Sequence, residues 1–274
     1  MTRHFVPMIS RQIGRFFSYL RDRLARVLVR LGVRPNVLTV LGMLLTVGAG
    51  AGLALGPACW RTWVVGLLVA AGACDLLDGA MAKLGRLESR FGGVLDSVCD
   101  RASDAALYLG PAFYFITWPD DPHPVEARPN LTLVLLAGAG LVWAYLISYI
   151  KARAEVAGAR GGGGFWQRPE RIVTILFGAA FCHVTTAIWI LGLWPLATVA
   201  HRIWHARLSC AAAEAGGTVE DRDPQGLPAV LLWRWKRDTV PFDIHAGTVV
   251  LMLIFWDIPA IDPLRDLAAW WVGA

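Results

Sequence analysis

The stretch that decides the fold runs from Asp75 to Asp100. It reads Asp-Leu-Leu-Asp-Gly-Ala-Met-Ala-Lys, then eight residues, then Gly-Gly-Val-Leu-Asp-Ser-Val-Cys-Asp. Asp75 and Asp78 are three residues apart, and Asp96 and Asp100 are four apart, so on helices each pair projects from one face. Carboxylates in apolar sequence are costly unless they are paired, metal-bound or functional. Two such helices side by side predict a four-carboxylate site for hard divalent cations.

The composition of the whole chain indicates a membrane protein. Of 274 residues, 56% are hydrophobic, only 17% are charged and thirteen are Trp. The mean hydropathy is +0.50. These values lie outside the usual range of soluble proteins. We therefore expect the lipid bilayer as a partner of this chain and no nucleic acid.

The apolar pattern predicts an all-α, polytopic membrane bundle with six core transmembrane helices. Four of the predicted spans cover residues 36 to 56, 62 to 83, 91 to 117 and 131 to 152. Residues 170 to 205 hold enough apolar sequence for two further short spans with a break near His183 to Thr185. A single bent segment is the alternative for that region.

An amphipathic N-terminal helix is predicted over residues 9 to 32. Apolar residues recur there at helical spacing with six Arg between them, a pattern suited to lying on an anionic membrane surface. Docking of this helix on protein is the alternative. The predicted domains are this helix within residues 1–34, the transmembrane domain over 35–207 and a C-terminal extension over 208–274.

The sequence of the C-terminal extension predicts its structure less clearly than the rest of the chain does. Residues 209 to 228 are rich in Ala, Gly, Asp and Glu, which is typical of a polar linker, and residues 233 to 237 suit an interfacial anchor. Residues 244 to 261 are apolar but borderline in length for a span. A seventh span, a re-entrant piece and an interfacial helix remain open for this segment.

Basic residues mark the predicted orientation. They gather in the N-terminus, at residues 83 to 90, at 151 to 171 and at Arg202 and Arg207. Because Lys and Arg accumulate on the cytoplasmic side of membrane proteins, these ends should face the cytoplasm. The carboxylate site should face the same side of a multi-pass protein in the cytoplasmic membrane.

The spacing D-x2-D-G-x2-A-K-x8-G-x3-D-x3-D, formed by residues 75 to 100, resembles the signature of the CDP-alcohol phosphotransferase family. Members of this family are integral membrane enzymes that make phospholipid head-group linkages. The resemblance implies that two Mg²⁺ or Mn²⁺ ions are held by Asp75, Asp78, Asp96 and Asp100. It implies Asp100 as the general base and CDP-diacylglycerol as the donor substrate.

The same resemblance implies a binding site for the cytidine nucleotide. The residues that it points to are Asn36, Thr39, Gly79, Ala82 and Lys83. Small side chains at the Gly and Ala positions would let the nucleotide approach closely. The family usually has Arg where this chain has Lys83. Lysine keeps the charge but loses the bidentate fork, so nucleotide affinity falls or another residue such as Arg86 compensates.

A second stretch indicates the acceptor. The sequence S-Y-I-K-A-R-A-E-x2-G from Ser148, followed by R-P-E-R at 168 to 171, resembles the family branch that makes phosphatidylinositol phosphate in actinobacteria and similar inositol lipids in archaea. The resemblance implies that Lys151, Arg171 and Arg202 hold the phosphate of inositol phosphate. The alternative is that these cations only mark cytoplasmic helix ends.

The expected function is transfer of the phosphatidyl group from CDP-diacylglycerol to inositol 1-phosphate, giving phosphatidylinositol phosphate and CMP. The alternative acceptor is glycerol 3-phosphate, which would give phosphatidylglycerol phosphate. A transporter or channel, or a membrane scaffold without catalysis, remains open, although a transporter would not explain the Gly and Ala spacing. The resemblance also implies a homodimer, for which the small residues 137 to 140 offer a surface for close helix contact.

Overall fold

The structure, a computed structural model, describes residues 8–56, 60–117, 129–159, 164–214, 240–258 and 261–264, with side chains for all of these except 8–17, 61 and 240–245. Within these ranges the chain is helical and contains no β-strand. The helices are α1 (Met8–Arg30), α2 (Pro35–Ala54), α3 (Val65–Leu84), α4 (Arg90–Thr117), α5 (Leu131–Val156), α6 (Arg168–Phe181), α7 (Val184–Leu193), α8 (Pro195–Glu214) and α9 (Val240–Phe255). A π-helical turn, Trp60–Val64, precedes α3.

Four stretches of the described residues are long and apolar enough to cross a membrane. They are Pro35–Ala54, Thr62–Leu84, Leu131–Val156 and Val184–Glu214. Helix α4 has 28 residues, but Arg90, Arg101 and three Asp make it more polar than these four. The prediction of an all-α membrane fold is therefore confirmed, whereas the count of six core spans stays a prediction.

The break predicted near His183 lies between α6 and α7. Cys182 adopts the left-handed conformation with φ 59°, and its N–H bonds back to Ala179 and Gly178 carbonyls, which ends α6. A non-glycine residue in this conformation is uncommon and stops a helix sharply. The predicted break is therefore confirmed, whereas the division of residues 170 to 205 into two spans stays a prediction.

The chain divides into two compact units. Unit 1 comprises residues 1–48 and 66–103, and unit 2 comprises residues 49–65 and 104–274. Within unit 1, Ala25 of α1, Leu38 of α2 and Met81 of α3 form a buried apolar cluster. Helix α1 thus docks on protein through one face, while Leu20, Leu24 and Val27 stay exposed on it. Its contact with a membrane surface stays a prediction.

Glycines permit a close helix crossing inside unit 2. A Cβ added at Gly50 would collide with the carbonyl oxygen of Ala106, and one at Gly110 would collide with the carbonyl oxygen of Gly50. The two backbones are in direct contact, so neither glycine position has room for a side chain. Helix α5 packs against α7 and α8, and α6 packs against α7 and α9.

The described part of the C-terminal extension is an integral part of unit 2. Helix α9 has 16 residues, fewer than the roughly 20 that span a bilayer. Val249 and Leu253 are buried, and the Leu253 carbonyl accepts a hydrogen bond at 2.7 Å from His183 Nδ1. Beyond the helix, Asp262 accepts hydrogen bonds from the backbone N–H groups of Leu131 and Thr132 at 2.9 and 3.0 Å, which caps the start of α5.

Two predictions concern segments of the C-terminal extension. Residues 209 to 228 were expected as a linker, but α8 continues to Glu214, so the first part of that expectation is wrong. The run Cys210-Ala-Ala-Ala-Glu214 is made mostly of strong helix formers, which favour continuing α8. The anchor expected at 233 to 237 lies outside the described residues, as do residues 215 to 239 in general.

Candidate active site

A cavity of about 450 Å³ in unit 1 collects most of the residues expected at the metals and the nucleotide. The expected residues on its walls are Asn36, Thr39, Asp75, Asp78, Gly79, Ala82 and Asp96. Three helices supply them: α2 at its first turns, α3 from its middle to its C-terminal end and α4 at its start. All of them except Asp75, which lies midway along α3, are near a helix end.

The carboxylates converge as their spacing predicts. One oxygen from each of Asp75, Asp96 and Asp100 lies within 4.8 Å of the others. The first two side chains are exposed and the third is partly buried. Three carboxylates this close repel one another, and a divalent cation among them would remove that repulsion. An all-oxygen donor set suits Mg²⁺ or Mn²⁺, so the residues present fit the expected metals.

Asp78 is held on the same cavity wall by a different contact. Thr39 Oγ1 donates a hydrogen bond of 2.6 Å to Asp78 Oδ2. Sequence reasoning expected Thr39 at the nucleotide and did not foresee this bond, which orients the carboxylate by joining α2 to α3. The place of Asp78 among the metal ligands stays a prediction.

The turn between α3 and α4 contributes cavity residues that the sequence reasoning missed, namely Leu87, Glu88 and Ser89. Just beyond the end of α3 at Leu84, Arg86 has φ 51°, and Leu87 N–H bonds to the Ala82 carbonyl at 2.9 Å. This is the hydrogen-bond pattern of a Schellman motif with a non-glycine residue at its left-handed position.

Ser89 then caps α4. Its hydroxyl accepts a hydrogen bond of 2.9 Å from the Gly92 N–H, three residues later. Serine is among the preferred residues at helix N-termini, so this cap was readable from the sequence. A Cβ at Gly92 would lie 3.2 Å from Asn36 Oδ1, so glycine here lets the start of α4 approach α2.

The remaining residues expected in this part of the site lie outside the cavity walls. Lys83 is exposed in the last turn of α3 and is not among the residues that line the cavity. Asp100, the expected general base, lies 3.8 Å from Arg101. Its partly buried carboxylate therefore has a cation beside it as well as two other carboxylates.

The three cations expected at the acceptor phosphate belong to unit 2. Lys151 is exposed near the end of α5 and lies 3.8 Å from Glu155. Arg202 of α8 is buried, and its Nη1 donates a hydrogen bond to the carbonyl of Ile147, one helical turn before Lys151. The structure thus brings Arg202 to the last turns of α5.

Arg171 is the most enclosed of the three cations. Its Nη2 donates to Asp104 Oδ2 at 2.8 Å, and both side chains are only 2% exposed. Its Nη1 donates to the Trp166 carbonyl at 3.1 Å. Arg171 is also near enough to Arg202 for the two guanidinium groups to repel each other. Sequence reasoning did not foresee the role of Asp104, which follows Asp100 by four residues on α4.

The fold and the carboxylate cavity define a class of membrane enzymes. The chain matches the CDP-alcohol phosphatidyltransferase family over residues 32–219 and belongs to that family. The expected family and enzyme class are confirmed. The apolar helices together with this membership make it a membrane protein.

Among similar proteins is the phosphatidylinositol phosphate synthase of Mycobacterium tuberculosis, which is 38% identical over 219 residues, 73% of this chain and 91% of that protein. The archaetidylinositol phosphate synthase of Pyrococcus horikoshii is 32% identical over 188 residues, 68% of this chain and 90% of that protein.

Solved structures agree with this relationship. The crystal structure of the M. tuberculosis synthase with CDP-DAG bound has a TM-score of 0.60 at 32% identity, covering 70% of this chain and 95% of that one. The same synthase in complex with manganese and citrate also has a TM-score of 0.60, at 30% identity, and covers 79% of this chain and 100% of that one.

Proposed function

We propose that this protein transfers the phosphatidyl group from CDP-diacylglycerol to inositol 1-phosphate, giving phosphatidylinositol phosphate and CMP. The observation that carries the proposal is the group of Asp75, Asp96 and Asp100, whose oxygens lie within 4.8 Å of one another beside a cavity of about 450 Å³. Relatives at 32–38% identity that are named for this lipid or its archaeal counterpart support the choice of acceptor.

The reaction exchanges one phosphate ester for another. A hydroxyl oxygen of the acceptor attacks the phosphorus that carries diacylglycerol, the bond from that phosphorus to CMP breaks, and CMP leaves with the bonding electron pair. Asp100 accepts the proton of the attacking hydroxyl. Its position beside the other carboxylates keeps it close to where the donor pyrophosphate would bind.

Asp75, Asp78, Asp96 and Asp100 are the residues that would hold two Mg²⁺ or Mn²⁺ ions. Bound metal would neutralise the pyrophosphate and stabilise the departing CMP. Thr39 fixes the orientation of Asp78 by its 2.6 Å hydrogen bond, so this carboxylate is preorganised before substrate arrives.

The cytidine nucleotide would lie along the small residues of the cavity. Gly79 has no neighbour within 4 Å of an added Cβ, so its side of the cavity is open for a ligand. Asn36, Thr39 and Ala82 line the same space. Lys83, exposed at the end of α3, would supply a charge without the fork of the usual Arg.

The acceptor phosphate would be held by Lys151, Arg171 and Arg202. Arg202 and Arg171 are buried and fixed by hydrogen bonds, whereas Lys151 is exposed and free to move toward a ligand. Two fixed guanidinium groups and one mobile ammonium group would together balance a dianion by charge-assisted hydrogen bonds.

We further propose a multi-pass protein of the cytoplasmic membrane whose active site faces the cytoplasm, because the basic residues gather at one set of helix ends.

We also propose a homodimer. Within the small-residue run of α5, Ala137 and Gly140 are buried inside unit 2, while Gly138 is exposed with nothing within 4 Å of an added Cβ. Gly138 is therefore the residue of this run that is available for contact with a second copy.

Purified protein given CDP-diacylglycerol and a panel of acceptors would test the proposed activity, with products identified by mass spectrometry. Inositol 1-phosphate should give phosphatidylinositol phosphate and an equal amount of CMP, and free inositol should react poorly. The Asp96→Asn variant sets the background. A clear preference for glycerol 3-phosphate would overturn the proposed acceptor but not the reaction class.

A further inference from the structure

Asp104 is the third aspartate of α4, and it is not among the residues that line the carboxylate cavity. It lies in unit 2, and its Oδ2 accepts a hydrogen bond of 2.8 Å from Arg171 Nη2, with both side chains 2% exposed. A second pair, Arg21 with Asp22, has a similar distance of 2.7 Å but side chains that are 42% and 35% exposed. The two pairs therefore differ in burial far more than in geometry.

Because both side chains are buried, joining two helices through Asp104 and Arg171 has a large desolvation cost. Removing two charges from water costs several kcal/mol, and replacing such a pair by apolar side chains is often neutral or stabilising. The position of Arg171 adds to the cost, because a cation near the start of α6 opposes the helix dipole. Helix packing alone therefore does not account for this arginine.

The guanidinium of Arg171 is also fixed from its other side. Its Nη1 donates to the carbonyl of Trp166 at 3.1 Å, and the Trp166 ring is 1% exposed and packs edge-on against Phe165. Just before these aromatics, Gly164 has φ 93° and lies against Thr198 of α8. The carbonyl that holds Arg171 thus belongs to a well-packed segment.

Two of the three guanidinium nitrogens are engaged in this way. The third, Nε, is buried and has no hydrogen-bond partner among the described residues. A guanidinium has five N–H donors, so an oriented Arg171 keeps donors in reserve while its charge is balanced by Asp104. Without Asp104, Arg171 and the nearby Arg202 would be two cations that repel each other with no negative charge between them.

We propose that Asp104 is a positioning residue for the acceptor: it orients Arg171 and balances its charge while no phosphate is bound. Asp104 acts through the arginine and does not itself touch substrate. This inference rests on the proposed function, in which Arg171 binds the acceptor phosphate. It extends that function by naming the residue that presets the arginine.

Steady-state kinetics would test this positioning role. The variants are Asp104→Asn, Asp104→Glu, Arg171→Ala and the double variant Asp104→Asn/Arg171→Ala. Asp104→Asn should raise the acceptor KM about tenfold, as loss of an outer partner of a ligand-binding group does, and leave the CDP-diacylglycerol KM within about twofold. Arg171→Ala should lower acceptor kcat/KM about ten- to hundredfold. In the Arg171→Ala background, Asp104→Asn should add nothing to the acceptor KM.

Asp104→Glu keeps the charge but moves it by one methylene, so it should fold and raise the acceptor KM less than Asp104→Asn does. Asp22→Asn, which breaks the exposed pair, should leave both KM values unchanged. If the Asp104 variants lower the melting temperature while both KM values stay at wild type, or if both KM values rise equally, the pair is structural and the inference is wrong.

The two proposals fail in different ways. Absence of any phosphatidyl product from the wild type overturns the proposed function. Preference of the wild type for glycerol 3-phosphate changes only the acceptor, and the KM comparison is then made with that phosphate. A wild type that forms product while Asp104→Asn shows no acceptor effect overturns the positioning role alone.

Discussion

Two groups of charged side chains in this protein differ in how their charge is balanced. In unit 1, Asp75, Asp96 and Asp100 bring like charges within 4.8 Å of one another beside an open cavity. In unit 2, Arg171 is buried against a carboxylate of opposite charge. Like charges in close contact indicate where a ligand must supply the balancing charge, whereas a matched pair is balanced by the protein itself. The first group should therefore depend on metal, and the second should not.

Removing metal, or a carboxylate, should have the largest effect and tests the first half of this comparison. We expect CMP release to fall to background in EDTA and in Asp78→Asn or Asp96→Asn, a loss of more than about a hundredfold, because ligands matter more than their outer partners. CMP release from CDP-diacylglycerol with acceptor present is the measurement.

Readdition of Mg²⁺ or Mn²⁺ should restore the EDTA-treated wild type but neither variant. Glu155→Gln, which removes an exposed carboxylate of unit 2 beside Lys151, is the matched control and should still need metal for turnover. Robust CMP release by the wild type in EDTA would contradict the assignment of the cavity.

An intermediate effect is expected from filling the cavity in unit 1. Gly79→Leu should raise the CDP-diacylglycerol KM at least about tenfold, since a side chain there enters open space on the cavity wall. The acceptor KM should change little. Gly66→Leu on the same helix also meets no atom within 4 Å but does not line the cavity, so it should leave both KM values unchanged. Equal effects of the two substitutions would show that the cavity does not bind the donor.

The smallest effect concerns a carboxylate of unit 2 that serves only the fold. Asp262→Ala removes a cap from α5 and should lower the free energy of unfolding by about 1 kcal/mol. Thermal unfolding in detergent measures this, with the exposed Asp257→Ala as the control. Both variants should keep wild-type KM values. A selective rise in the acceptor KM of Asp262→Ala would break the distinction between structural and site carboxylates.

The carboxylate site was largely predictable because its information is local. Spacings of three and four residues place Asp pairs on one helix face, and α3 and α4 form where the apolar pattern indicates. The hydrogen bond from Thr39 to Asp78 could not be predicted from the sequence, because the two residues are 39 positions apart and meet only once α2 and α3 have packed.

The partner of Arg171 was beyond the reach of sequence reasoning for the same reason. Asp104 lies 67 residues before it, and nothing in the spacing of either residue indicates the other. The composition of residues 209 to 228 predicts a linker, yet the Ala-rich run up to Glu214 is helical, because alanine favours helix more than any other residue. Arg86 and Cys182 adopt the left-handed conformation that glycine usually takes. Because neither is glycine, the two helix ends beside them could not be predicted from residue type.

The cap on α5 has a consequence for how the protein is made. Asn130 accepts a hydrogen bond from the N–H of Leu133, but the N–H groups of Leu131 and Thr132 bind Asp262, which lies 131 and 130 residues further along the chain. During synthesis α5 enters the membrane long before Asp262 leaves the ribosome. A nascent chain that has reached Glu214 already contains every residue proposed for catalysis. Its helix α5, however, still begins with two backbone N–H groups whose acceptor, Asp262, has not yet been made. The cap on α5 is therefore completed only after Asp262 has been made.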